Sequence, residues 1–143
     1  MALEDSSLQD TFAQLAAEKN DLLRSQTAFA LGVFSMQPAA APQFTEQLEL
    51  LADDLFADAR YNAALALART GNARAAEALV EMLQPEAAAA SPWFQQVAAV
   101  QSLGRLKPGR EVLSSLIRIG FDRAGLPELF KVALKAIKTM NQE

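Results

Sequence analysis

The stretch that decides the fold is DARYNAALALART, residues 58–70, because its pattern occurs three times in the chain. Residues 22–34 read LLRSQTAFALGVF and residues 94–106 read FQQVAAVQSLGRL, so the copies follow one another at a constant offset of 36 residues. Matching positions form columns: Ala28 with Ala64 and Val100, Leu31 with Leu67 and Leu103, and Gly32 with Ala68 and Gly104. A fixed period of this length is the sequence signature of a repeat protein.

Each copy is an amphipathic helix, since its apolar and small residues recur at helical spacing and form one stripe. The column of Gly and Ala allows another helix to approach closely. A second apolar run at helical spacing follows each copy, in residues 44–55, 75–83 and 112–117, and Pro or Gly residues separate the two runs. The repeating unit is therefore a helix, a loop and a second helix.

Two further amphipathic patterns flank the three units and predict terminal capping helices. At the N-terminal end, Ser7 and Asp10 have the Ser-x-x-Asp spacing of a helix cap. The sequence thus predicts one all-α domain over residues 1–143. Its eight helices are expected at about 6–18, 21–36, 42–55, 58–70, 74–84, 92–106, 109–120 and 127–141.

The middle unit, residues 58–83, resembles a HEAT-like repeat of the short type found in phycobilisome lyases. The likeness lies in Asp58 and Arg60 at the helix start, Gly71-Asn72 in the turn, and Ala75 four residues before Leu79. It extends over about residues 21–120, although the third unit has Gln96 in place of the Arg. The resemblance implies a right-handed α-α superhelix of the HEAT/armadillo type. First helices would line its convex side and second helices its concave side, a surface that typically holds protein partners.

The composition argues against catalysis. The chain has no Cys and no His, which removes thiolate nucleophiles, thiolate or imidazole metal ligands and the usual general acid/base. We therefore predict no enzyme activity, no cofactor and no metal. The first ten residues are polar and acidic, and no apolar run approaches the roughly 20 residues that cross a bilayer. A cytoplasmic protein without a membrane partner is the expectation.

Charge is distributed unevenly along the chain. Residues 1–90 hold thirteen Asp and Glu against five Lys and Arg, whereas residues 91–143 hold four against eight. A net charge of −4 disfavours non-specific binding to nucleic acid, which needs Lys and Arg to neutralise phosphates. The opposite signs of the two halves also suggest weak, salt-dependent self-association.

Two sets of charged residues are candidate partner sites. If the second helices line the concave face, equivalent exposed positions form an acidic-to-polar ridge suited to a basic or polar peptide. Its members are Glu46, Glu77 and Glu111, with Leu50, Glu81 and Ser115 one turn further on. The basic patch on the last helix suits an acidic partner and consists of Lys131, Lys135 and Lys138. The alternative for both sets is a solvated helix face without a partner.

Four other residues have specific expected roles. Trp93 and Phe94 either anchor an interface or pack at the junction between repeats. Arg24 and Arg60 occupy matching positions, and nearby acids such as Asp21 and Asp58 favour a structural role that bridges repeats.

Three functions are consistent with this sequence. The first is a non-enzymatic module that binds or scaffolds a protein or peptide partner. The second, implied by the resemblance, is a bilin lyase-like chaperone or lyase subunit that handles a chromophore. The third is a structural protein that assembles with copies of itself.

Overall fold

A computed structural model describes residues 2–37, 41–84, 86–87 and 93–106, together with Arg118, Lys135 and Lys138. Six α-helices and one 3-10 turn account for most of these residues, and none of them lies in a β-strand. The elements are α1 (Ala2–Ala16), α2 (Asp21–Phe34), α3 (Ala41–Ala52), α4 (Ala57–Arg69), the 3-10 turn (Ala73–Ala75), α5 (Ala76–Met82) and α6 (Trp93–Leu106). The all-α class is therefore confirmed.

The predicted helices over residues 21–106 are found with ends that differ by at most three residues. The helices predicted at 109–120 and 127–141 lie outside the described residues, apart from Arg118, Lys135 and Lys138, which are helical. The chain divides into two compact units, Met1–Thr70 and Gly71–Glu143.

The N-terminal cap was predicted wrongly. Helix α1 begins at Ala2, so Ser7 lies inside the helix, where its carbonyl oxygen accepts a hydrogen bond of 2.8 Å from Thr11 Oγ1. The physical reason is that residues 2–5 (Ala-Leu-Glu-Asp) contain no helix breaker and extend the helix beyond the first Ser. A helix cap is present instead at Asn20, whose side chain accepts from the backbone N–H of Leu23.

In the first unit, α4 packs against both α2 and α3. Helix α1 also packs against α2 and α3. The contact of α2 with α4 is close because small residues meet there: a methyl group placed on Gly32 would lie 3.1 Å from Ala66 Cβ. An aromatic cluster joins α1, α2 and α3. The ring centroids of Phe12 and Phe34, and of Phe12 and Phe44, are both 5.5 Å apart in edge-on arrangements.

The repeat columns of the sequence are columns of burial in the structure. Leu31, Leu67 and Leu103 are all buried, and so are the other two columns that the alignment defines. At the first position of each copy, Leu22, Asp58 and Phe94 are all exposed. Equivalent residues therefore have equivalent environments, which is the property of a structural repeat.

The second unit begins with a turn at Gly71, whose φ of 76° lies in the left-handed region that favours glycine. Asn72 then accepts a hydrogen bond of 3.0 Å from the backbone N–H of Arg74 and starts the 3-10 turn. Helix α5 packs against α6. The buried residues of this packing include Leu79, Met82, Leu83, Val100 and Leu103.

Candidate interaction surface

The candidate surface is built on α3, the second helix of the first repeat. Phe44, Leu48 and Leu51 point from α3 into the core and are almost fully buried. Their spacing of three and four residues places Glu46 and Leu50 on the other side of the helix. Glu46 is exposed, and Leu50 leaves 67% of its surface open to solvent.

A cleft of about 350 Å³ lies between α1 and α3. One wall consists of the small side chains Ala13 and Ala16 of α1 and Ala17 just after it, and the other of Glu46, Gln47 and Leu50 of α3. The cleft exists because these three alanines leave space that larger side chains would fill. It combines an apolar surface with a carboxylate.

Gln47 adds a polar group to this cleft. Its Oε1 atom is buried and has no hydrogen-bond partner. Buried polar atoms in proteins are nearly always hydrogen-bonded, and one left unpaired costs free energy.

Within the predicted acidic ridge, the structure brings Glu46 and Leu50 together beside the cleft. On α5, Glu77 is exposed, whereas Glu81 is half-buried. Glu111 and Ser115 lie outside the described residues, so the continuity of the ridge stays a prediction. Sequence reasoning missed Gln47 and the α1 alanines, since the repeat columns contain no information about where α1 packs.

Of the basic patch, Lys135 and Lys138 are exposed and helical, and their spacing of three residues places them on one side of a helix. Lys131 lies outside the described residues. Phe94 leaves 57% of its surface exposed, so it is not buried; as the first residue after Trp93 in α6 it points away from the buried stripe. Nothing is described of the Trp93 side chain.

One end of the first unit is held by an ion pair between α2 and the loop after α3. Arg24 Nε donates to Asp54 Oδ2 at 2.6 Å and Arg24 Nη2 donates to Asp54 Oδ1 at 2.9 Å, a bidentate arrangement. The two side chains are 15% and 9% exposed. Arg24 also donates to Asp21 Oδ1, as the sequence predicted, and to the carbonyl oxygen of Glu18.

The hydrogen bonds from Arg24 lower the pKa of Asp54, against the opposing effect of its partial burial. The same hydrogen bonds raise the pKa of Arg24, so both groups stay charged near neutral pH. Arg60, at the matching position one repeat later, donates to the carbonyl oxygens of Asp54 and Leu55. The structural role predicted for both arginines is thus confirmed, although the sequence indicated Asp58 for Arg60 and not this loop.

Within the described residues, no three carboxylates are grouped so as to hold a metal ion, and no helix has both the length and the apolarity needed to cross a membrane.

Together these features define packed helices, with no strand among the described residues, and a sequence period of 36 residues. Residues 59–85 match the family model of the PBS lyase HEAT-like repeat, so the chain contains a HEAT-like repeat at the place where the sequence resemblance predicts one. Comparisons with curated proteins and with solved structures gave no significant match.

Proposed function

We propose that the protein is a non-enzymatic interaction module, a superhelix of HEAT-like repeats that binds a protein or peptide segment along its second helices. The observation that carries this proposal is the two-sided character of α3. One side is buried in the core, and the other presents Glu46 and Leu50 over a cleft that Gln47 also lines.

The chemistry of the cleft defines the segment that it would bind. An apolar side chain would fill the space between the α1 alanines and Leu50. A Lys or an Arg next to it would pair with the exposed Glu46. Residues 1–70 hold ten Asp and Glu against four Lys and Arg, so their charge also attracts a basic segment.

Selection of displayed random peptides on the immobilised protein tests this proposal. We expect enriched peptides to carry Lys or Arg beside a large apolar residue, and to lose at least about tenfold in affinity for Leu50→Asp, a loss that corresponds to about 1.4 kcal/mol. Leu55→Asp is the matched control, because Leu55 is 97% exposed and lies outside the cleft. Enrichment of acidic peptides, or equal binding to both variants, would contradict the proposal.

A bilin-handling chaperone is the second candidate, and the observation that favours it is the match to the PBS lyase repeat. A titration of the protein with a bilin distinguishes the two functions. Stoichiometric binding with a changed absorbance spectrum, competed by no selected peptide, would support the chaperone.

A further inference from the structure

The outer side of α2 carries an apolar stripe that nothing in the first unit covers. Leu22, Phe29 and Val33 are 61%, 63% and 50% exposed. Met36, in the turn that follows the helix, is 65% exposed. Contiguous exposed apolar side chains of this kind often mark interaction sites.

The spacing within this α2 stripe is that of a two-helix seam. Leu22, Gln26, Phe29, Val33 and Met36 follow one another at intervals of four, three, four and three residues. That alternation is the heptad pattern through which two helices pack side by side. The exposed Gln26 takes one of the five positions, which is typical of a seam that tolerates a polar residue to fix its register.

We propose that the partner of the α2 stripe is α2 of a second copy of this chain, in a two-fold symmetric dimer. Phe29 lies at the centre of this pattern, with Leu22 and Met36 each seven residues away. In a parallel arrangement with the two-fold axis along the seam, each seam position of one copy faces the same position of the other, so Phe29 faces Phe29 and Val33 faces Val33. Such self-complementarity is the requirement for an isologous interface.

The charge of α2 permits this contact. Asp21 and Arg24 are its two charged side chains, and they pair with each other at 2.6 Å. The stripe is thus uncharged, and two copies meet there without opposing like charges, even though the whole chain has a net charge of −4.

The area is sufficient for a weak dimer. Between half and two-thirds of each of the four side chains is exposed. For residues of this size the exposed area is roughly 100 Å² each, so two copies would bury on the order of 800 Å² in the centre of the contact. A polar rim around this centre would raise the total buried area towards about 1,200 Å², the lower end of the range for specific interfaces.

Sedimentation equilibrium tests the proposal directly. We expect a dimer with a dissociation constant in the range of about 1–100 µM that 0.5 M NaCl does not dissociate, because apolar burial and not charge holds it together. The double variant Phe29→Asp, Val33→Asp should weaken the dimer at least about 30-fold. Leu55→Asp, which is exposed outside the stripe, should leave it unchanged.

Cross-linking gives a second readout that does not depend on how the double variant folds. The chain has no Cys, so Phe29→Cys introduces a single thiol. Helix axes about 8–10 Å apart bring the facing Cα atoms to about 4–6 Å, a distance that a disulfide spans. Mild oxidation should therefore link Phe29→Cys into dimers much faster than Leu55→Cys. A monomer at several hundred micromolar, a dimer dissociated by salt, or equal cross-linking of both variants would overturn the proposal.

Discussion

Asp54 accepts the hydrogen bonds that hold one end of the first unit together. It accepts two hydrogen bonds from Arg24, and its Oδ1 also accepts a bond of 2.8 Å from the backbone N–H of Phe56, at the start of α4. A single carboxylate thus links α2 to the entrance of α4. Because it is only 9% exposed, solvent screens these interactions little.

We expect Asp54→Asn to lower the melting temperature at pH 7, since the variant leaves Arg24 without its main acceptor. The pKa of Asp54 is lowered in the folded state, so its contribution to stability is present above its unfolded pKa of about 3.9 and is lost as the pH falls through the folded value. The difference between wild type and variant should therefore be largest near neutral pH and shrink below about pH 4. Thermal melts followed by circular dichroism measure it.

Asp10→Asn serves as the control for this pH series, because Asp10 is exposed on α1. It should melt like the wild type. A gap between Asp54→Asn and wild type that stayed constant down to pH 3 would show that the ion pair is not the cause.

Gly71 is the second residue with a specific backbone role. Its φ of 76° is unfavourable for any side chain, while a methyl group placed there would meet no atom within 4 Å. Gly71→Ala should therefore destabilise the protein by about 1–2 kcal/mol through backbone strain alone. Gly71→Asn should cost less, because Asn tolerates this conformation better. Equal loss for both variants in urea unfolding would point to another cause.

At the scale of elements, the contact of α2 with α4 explains the column of small residues. Gly32 faces Ala66, and Arg69 Nη1 donates to the carbonyl oxygen of Gly32 at 3.2 Å. Ala63, Ala64 and Ala68 of α4 are buried as well. Small residues at these positions let the two helices approach, so the packing of one repeat on the next depends on their size.

Gly32→Leu should destabilise the protein strongly, by about 1–3 kcal/mol or more, because the side chain has no space between α2 and α4. In a helix, alanine is more favourable than glycine by roughly 1 kcal/mol. Gly32→Ala should increase the stability of the protein by much less than this, because the added Cβ would lie 3.1 Å from Ala66 Cβ. Denaturant unfolding measures both. Full stabilisation by Gly32→Ala would indicate that the helices are further apart than the structure shows.

Leu67 provides the matched test of the apolar column. It is 1% exposed, and truncation to Ala should cost about 2–5 kcal/mol. Leu65→Ala, two residues earlier on the same helix and only half-buried, should cost less. A loss at Leu65 that equalled the loss at Leu67 would contradict the assignment of the repeat's inner side.

The elements of the fold follow from the sequence because burial repeats every 36 residues, and a period is visible without coordinates. The columns of Leu31 and Gly32 were predicted for this reason. The pair of Arg24 with Asp54 was not, since its partners are 30 residues apart and the repeat alignment contains no information about contacts with the loop after α3. The cleft also escaped prediction, because it depends on where α1 lies.

For the whole molecule, the charges suggest how a partner would be attracted. Exposed acids contribute only about 0–1 kcal/mol each to binding, but together they steer a basic partner and accelerate association. Glu46 and Glu77 are both exposed, whereas Glu81 is half-buried, so the first two can be changed with the smaller effect on stability.

The most direct test of the interaction module is the association rate of a selected basic peptide, measured by stopped-flow fluorescence at two salt concentrations. Glu46→Lys with Glu77→Lys should slow association about tenfold or more in low salt and much less in 0.5 M NaCl, with an unchanged melting temperature. Lys135→Glu with Lys138→Glu, on an exposed helical surface, is the control and should not slow it. If the acidic variant bound at the wild-type rate and the lysine variant lost binding, the partner surface would be the last helix and the account would be wrong.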